Sequence, residues 1–185
     1  MPFRNTTRSW GFLSKALHWL IVLLIINQWI IAERALSLPK GPALIQALWW
    51  HKSFGITILM LAVIRLVWRL VNPVPDLSAE TRPWERVLAK ISHVLLYALI
   101  FAMPLSGWTM SSARSFPVSW FGWLQLPDLV KPDPQLYERL KELHETLFIV
   151  LVTVAVLHAA GALKHHFIDR NDVLRRMLPF GRTHD

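Results

Sequence analysis

Four apolar runs, at residues 16–32, 49–71, 88–110 and 143–163, constrain this chain more than anything else in it. As a helix rising about 1.5 Å per residue, each is long enough to cross a hydrocarbon layer about 30 Å thick, allowing for tilt and frayed ends. In hydrocarbon every backbone N–H and C=O must find a partner inside the protein, and a helix provides one within a single segment. One such run is compatible with a buried helix of a soluble protein; four with so few internal charges point to membrane spans. Composition agrees, since 54% of the 185 residues are hydrophobic and ten are tryptophan. With no internal repeat, the predicted fold is all-α: one integral membrane domain over residues 1–185, a four-helix bundle running up-down-up-down.

Lys and Arg set its orientation. Thirteen of the 20 fall in the N-terminal segment, the connection between the second and third runs, and the tail. Both termini are therefore predicted cytoplasmic. The formal charge of +8 reads as contact with anionic lipid rather than nucleic acid. The first run follows the basic stretch MPFRNTTRSWGFLSK without an A-x-A cleavage site and is expected to be a retained signal-anchor. An outer loop is expected at 111–142, where SFPVSWFGWLQLPDLVKPDP forms either a structured cap or a plain tether. Pro104 and Gly107 are expected to kink the third helix or admit a close neighbour. A cytoplasmic tail at 164–185 alternates basic and apolar residues as an interfacial helix does.

Histidines inside the runs carry the chemistry. An imidazole in hydrocarbon costs free energy unless something satisfies its nitrogens, so each is a candidate functional residue. From His144 to His158 the chain advances about 21 Å and returns to within about 40° of the same helix face. The predicted topology puts His51 with His144 near the outer side, and His18, His93 and His158 near the inner side. His165 and His166 fall at the inner boundary, and His184 in the polar tail carries no signal. Two pairs of neutral imidazoles at two depths of a helix bundle suit the axial ligands of two b-type haems. The absence of cysteine excludes c-type attachment, iron–sulfur clusters and disulfides. A zinc or copper site would gather three or four ligands around one point, and no such cluster is visible in the sequence.

The inner side has one candidate too many: position does not choose between His18 and His93 as the partner of His158. His165, seven residues beyond His158, lies on nearly the same face about 10 Å further on. There it suits a haem propionate, a quinone head group, or plain solvation at the interface. Arg65 and Arg69, at the inner end of the second run, suit haem propionates or lipid phosphates. On the outer side Lys52, Arg114, Lys131, Arg139 and Lys141 offer cations for steering an anion, against a net charge there of only about +1.

The segments ALHW (16–19), HKSFGITILMLAVIRLVWRL (51–70), SHVLLYALIFAMPLSGW (92–108), HETL (144–147) and LHAAGALKHHFIDRNDVLRRMLP (157–179) resemble the bacterial cytochrome b561 family over essentially the whole chain. The resemblance implies an inner-membrane cytochrome with two haem b. In it His18 and His158 match the cytoplasmic-side haem ligands, and His51 and His144 the periplasmic-side ones. It leaves His93 beside the ligands. A member of the family acts as a superoxide oxidase, passing electrons from periplasmic superoxide to ubiquinone. His165 matches its quinone-site histidine. The outer loop is the part least like the family. The competing expectation is a non-enzymatic cytochrome subunit that links a dehydrogenase or hydrogenase partner to the quinone pool.

Overall fold

The computed structural model describes residues 2–7, 9–76 and 81–179. Four long helices dominate: α1 (Phe12–Ser37), α2 (Pro42–Leu70), α3 (Pro83–Ala113) and α4 (Pro134–Phe167). All four are long and apolar enough to cross a membrane. Between α3 and α4 lies a two-stranded antiparallel hairpin, β1 (Ser119–Trp120) and β2 (Leu124–Gln125), and a five-residue helix α5 (Val173–Met177) follows α4. His184 and Arg182 of the expected tail lie outside the described residues.

Local chemistry explains where the helices begin and end. Pro42, Pro83 and Pro134 each stand first in their helix, where a missing N–H costs nothing. Ahead of α4, Asp133 Oδ1 accepts the backbone N–H groups of Gln135 and Leu136 at 2.9 and 3.0 Å. Ahead of α3, Glu85 Oε2 accepts the N–H of Arg82 at 3.1 Å, half of a capping box. Helix α3 reaches Ala113 and α4, capped by Asp133, starts at Pro134, both inside the stretch expected as loop. Helix α3 continues through Pro104. At its end Ser115 adopts a left-handed conformation (φ 54°) while Phe116 N–H returns to the Ser111 carbonyl.

The described residues group into two compact units. One comprises the described parts of Met1–Leu20, Val63–Ala98 and Val150–Asp185; the other comprises Ile21–Ala62 and Leu99–Ile149. Each takes a segment from every long helix.

In the first unit the N-terminal strand of chain is tied down by Asn5. Its Oδ1 accepts Gly11 N–H (2.9 Å) and Ser14 Oγ–H (2.6 Å), and its Nδ2 donates to Pro73 O (3.0 Å). Helix α5 docks on α1, because Lys15 Nζ and Trp19 Nε1 donate to the carbonyls of Leu178 and Met177 at 3.2 and 2.9 Å.

In the second unit the expected loop is a structured cap. Phe121, Gly122 and Trp123 connect the two strands, and Phe121 (φ 50°) and Gly122 (φ 77°) take the left-handed conformation there, which glycine adopts without strain. The hairpin is stitched to α2. Ser53, fully buried, accepts Phe121 N–H and lies 3.1 Å from Ser119 O, while Trp120 Nε1 donates to Thr57 Oγ1 at 3.1 Å. Lys52 Nζ donates to Ser111 Oγ, Phe116 O and Pro117 O and sits over the Phe116 ring. That lysine holds the cap in place and is not a freely swinging surface cation.

Candidate functional site

In the second unit α2 delivers His51 and α4 delivers His144, with ring centres 6.3 Å apart and planes at 74°. The protonation of His144 follows from its neighbours. Ser106 Oγ donates its one proton to Met103 O at 2.8 Å, so toward His144 Nδ1, also at 2.8 Å, the hydroxyl can only accept. Nδ1 therefore carries the hydrogen, and Nε2 is the bare nitrogen available to a metal. Gly107, next in α3, gives the ring its space: a Cβ there would stand 3.1 Å from His144 Cε1.

His51 is held through its backbone, whose carbonyl accepts Gln28 Nε2–H at 2.8 Å. Its own Nδ1 is buried with no partner, as is Gln28 Oε1. A buried polar atom without a hydrogen bond costs about 1–3 kcal/mol, so a buried imidazole nitrogen with no partner among the described residues, in a ring beside a second imidazole, marks a place for a ligand.

The donor set also fits an iron by separation. Two imidazoles on opposite sides of one metal, each nitrogen about 2 Å from it and each ring centre about 1 Å beyond, place their centres about 6 Å apart. His51 and His144 meet that requirement. Gly107→Ala is therefore expected to push the His144 ring aside and weaken haem retention at this pair about ten- to a hundredfold, the range for groups that orient a ligand. Gly161→Ala on α4, where a Cβ meets nothing within 4 Å, is the control. Haem-to-protein ratios after extended washing read the difference.

In the first unit three imidazoles converge. The rings of His93 and His158 are 5.2 Å apart, and His18 has Arg65, His158 and His93 within electrostatic reach. The ring of His18 packs edge-on against Trp19 at 5.4 Å. Arg65 Nη1 donates to Ser14 O at 2.9 Å, Trp68 Nε1 to Ser14 Oγ at 3.1 Å, and Arg69 lies over the Tyr97 ring at 5.5 Å. Together with Trp10 these five residues line one small cavity. Two guanidinium groups beside an indole N–H suit a carboxylate such as a haem propionate.

His165 ends α4 with its side chain 13% exposed. Its Nδ1 lies 2.9 Å from Asp169 Oδ2 and 3.1 Å from Asn171 Nδ2. Lys164 bridges Asp169 (2.8 Å) and Glu85.

The sequence matches the family described as prokaryotic cytochrome b561 over residues 9–180. The chain belongs to that family. It is accordingly a multi-pass membrane protein of electron transfer whose family binds b-type haem, typically two. Cytochrome b561 homolog 2 of Escherichia coli K12 is 35% identical over 185 residues, covering 96% of this chain and 95% of that protein. Probable superoxide oxidase CybB of Yersinia pestis is 30% identical over 175 residues (93% and 97%). Cytochrome b561 homolog 1 of E. coli K12 is 27% identical over 164 residues (88% and 93%).

The residues that sequence reasoning missed stand behind the histidines. Ser106, Gln28, Asp169 and Asn171 each touch a candidate histidine or its backbone. Asp169 had a usable signal, since it lies four residues past His165 and so on the same side of a helix.

Proposed function

We propose that this cytochrome oxidises superoxide to dioxygen on the periplasmic side and passes the electrons to ubiquinone near the cytoplasmic side of a bacterial inner membrane, with both termini cytoplasmic. The observation that carries the reading is the His51–His144 pair, with its 6.3 Å separation, bare His144 Nε2 and unpaired His51 Nδ1. Superoxide as the donor is supported by likeness to the Yersinia protein named a probable superoxide oxidase.

His51 and His144 hold one haem in this reading, His18 and His158 hold the other, and Arg65 and Arg69 face propionates. When bound, the two haems supply one-electron carriers between a one-electron donor and a two-electron acceptor. Oxidation of superoxide releases dioxygen and needs no proton, which suits a side of the molecule where Ser106 keeps the His144 Nδ1 proton fixed. Reduction of a quinone needs two electrons and two protons. His165, at the end of α4 with Nε2 free of partners among the described residues, offers an N–H to a quinone oxygen when its ring is protonated. Lys52 is committed to the cap through three oxygens, so the cap and not a mobile lysine borders His51.

The test is to supply superoxide from an enzymatic source to the purified haem-loaded chain with a short-chain ubiquinone and no other protein. One quinol should form for every two superoxide ions consumed, at a rate far above the reaction without the chain. Normal haem spectra without superoxide consumption would hand the assignment to the electron-conduit reading, in which a dehydrogenase or hydrogenase docks as donor.

A further inference from the structure

The first turn of α3 and the last turn of α4 share a connected line of charged side chains. Glu85 uses one carboxylate oxygen to cap α3 and offers the other to Lys164. Lys164 Nζ also donates to Asp169 Oδ2 at 2.8 Å, and the same oxygen lies 2.9 Å from His165 Nδ1. Backbone geometry holds the arrangement: Arg170 takes a left-handed conformation (φ 54°), and Asp169 and Asn171 N–H groups return to the carbonyls of Lys164 and His165.

Glu85, His165 and Asp169 place three potential ligand atoms within 4.8 Å of one another. The Lys164 ammonium already stands between the two carboxylates and supplies the cation, so a divalent ion has no call on the cluster. What the cluster does act on is the imidazole. Asn171 Oδ1 accepts Val173 N–H at 3.2 Å, which leaves its Nδ2 to face His165 Nδ1 at 3.1 Å. Nδ1 thus has a partner in either form: protonated, it donates to Asp169; bare, it accepts from Asn171. An ionised carboxylate is the stronger partner of the two and selects the form with hydrogen on Nδ1. The hydrogen bond from Lys164 holds the Asp169 carboxyl below its ordinary range, which keeps it ionised at neutral pH.

We propose that Asp169, clamped by Lys164 and Glu85, is the positioning residue that holds Nδ1–H of His165, so that the proton given to a reduced quinone oxygen is the one on Nε2 of the imidazolium. The inference rests on the quinone role of His165 proposed above. As each electron reaches the quinone, the Nε2–H bond of the imidazolium breaks and an O–H bond forms. Neutral His165 keeps its Nδ1–H on Asp169, and a proton taken up from the solvent (as hydronium, which leaves water) restores Nε2–H. Two electrons and two such transfers complete the quinol.

The experiment uses the purified haem-loaded chain, reduced with dithionite, freed of excess and mixed with a short-chain ubiquinone in a stopped-flow instrument. This removes any dependence on superoxide as donor. Asp169→Asn should leave haem content unchanged and the quinone concentration for half-maximal rate nearly unchanged. It should lower the maximal reoxidation rate about ten- to a hundredfold, within the range a positioned acid contributes. Asp169→Glu should recover most of the rate. In a His165→Ala background Asp169→Asn should add nothing, because the carboxylate acts through the imidazole. If His165→Ala slows reoxidation but Asp169→Asn does not, the positioning role is overturned while the quinone site stands. If His165→Ala itself has no effect, the quinone reading fails. Loss of haem in Asp169→Asn, or full additivity of the two changes, would make the carboxylate a structural residue and overturn the proposal.

Discussion

His144→Ala is expected to remove one haem and leave the other in place. The His144 ring centre stands 6.3 Å from that of His51, and nothing in an alanine replaces it. His51→Ala should give the same product, since a single imidazole leaves the iron with one axial position open and the pair with no second anchor. In both variants the haem-to-protein ratio falls by half, and the remaining haem keeps a low-spin spectrum in both redox states. Ser106→Ala should act in the same direction more weakly. Without the hydroxyl acceptor His144 Nδ1 loses its hydrogen-bond partner, the preference for a bare Nε2 lapses, and haem affinity drops about ten- to a hundredfold. Retention of both haems by His51→Ala would break the pairing, and equal loss of both haems from every variant would mean that the change had damaged the fold.

The four spans were legible because a membrane demands length and apolarity, and both are visible in the letters of a sequence. The helix ends were less so. The apolar run that begins at residue 143 is preceded by an amphipathic segment, QLYERLKEL, whose start is marked by Asp133 as cap and Pro134 in first position. An apolar window ignores such a cap, and so α4 begins earlier than hydropathy alone suggests. The choice between cap and tether for the outer loop turned on the Phe121–Gly122 turn and on Ser53 and Thr57, which lie more than 60 positions away in sequence. No local pattern contains that information.

The candidate site divides the same way. Histidine spacing on α4 put His144, His158 and His165 on one side of a helix, which needs only the helical period. The state of His144 depends instead on where Ser106 sends its single proton, and that is decided by a carbonyl one turn back in α3. Likewise the pattern HHFID looked like an interfacial tail in sequence. The left-handed turn at Arg170 folds Asp169 and Asn171 back onto the imidazole and makes the segment part of the site.

His18→Ala and His93→Ala should have opposite outcomes, and together they decide how the second haem is held. Three imidazoles compete for two positions on that haem. His93 and His158 stand 5.2 Å apart, closer than the about 6 Å that two ligands on opposite sides of one iron require. Their planes meet at 63°, an edge-to-face contact in which one ring buttresses the other. His18 comes from α1, and its neighbour Trp19 is anchored through Nε1 to the carbonyl of Met177 in α5, so the turn of helix that carries His18 is held from both ends. In the reading proposed above, His18 and His158 share the iron and His93 sets the angle of the His158 ring. His18→Ala should therefore lose the haem that survives in His144→Ala, and the double variant should bind none. His93→Ala should keep full haem stoichiometry while changing the optical spectrum and the reduction potential of that haem, because the ring it supports is free to rotate. Haem counting and redox titration of the two variants side by side read both effects. Full loading of His18→Ala with loss of haem in His93→Ala would transfer the ligand role to α3.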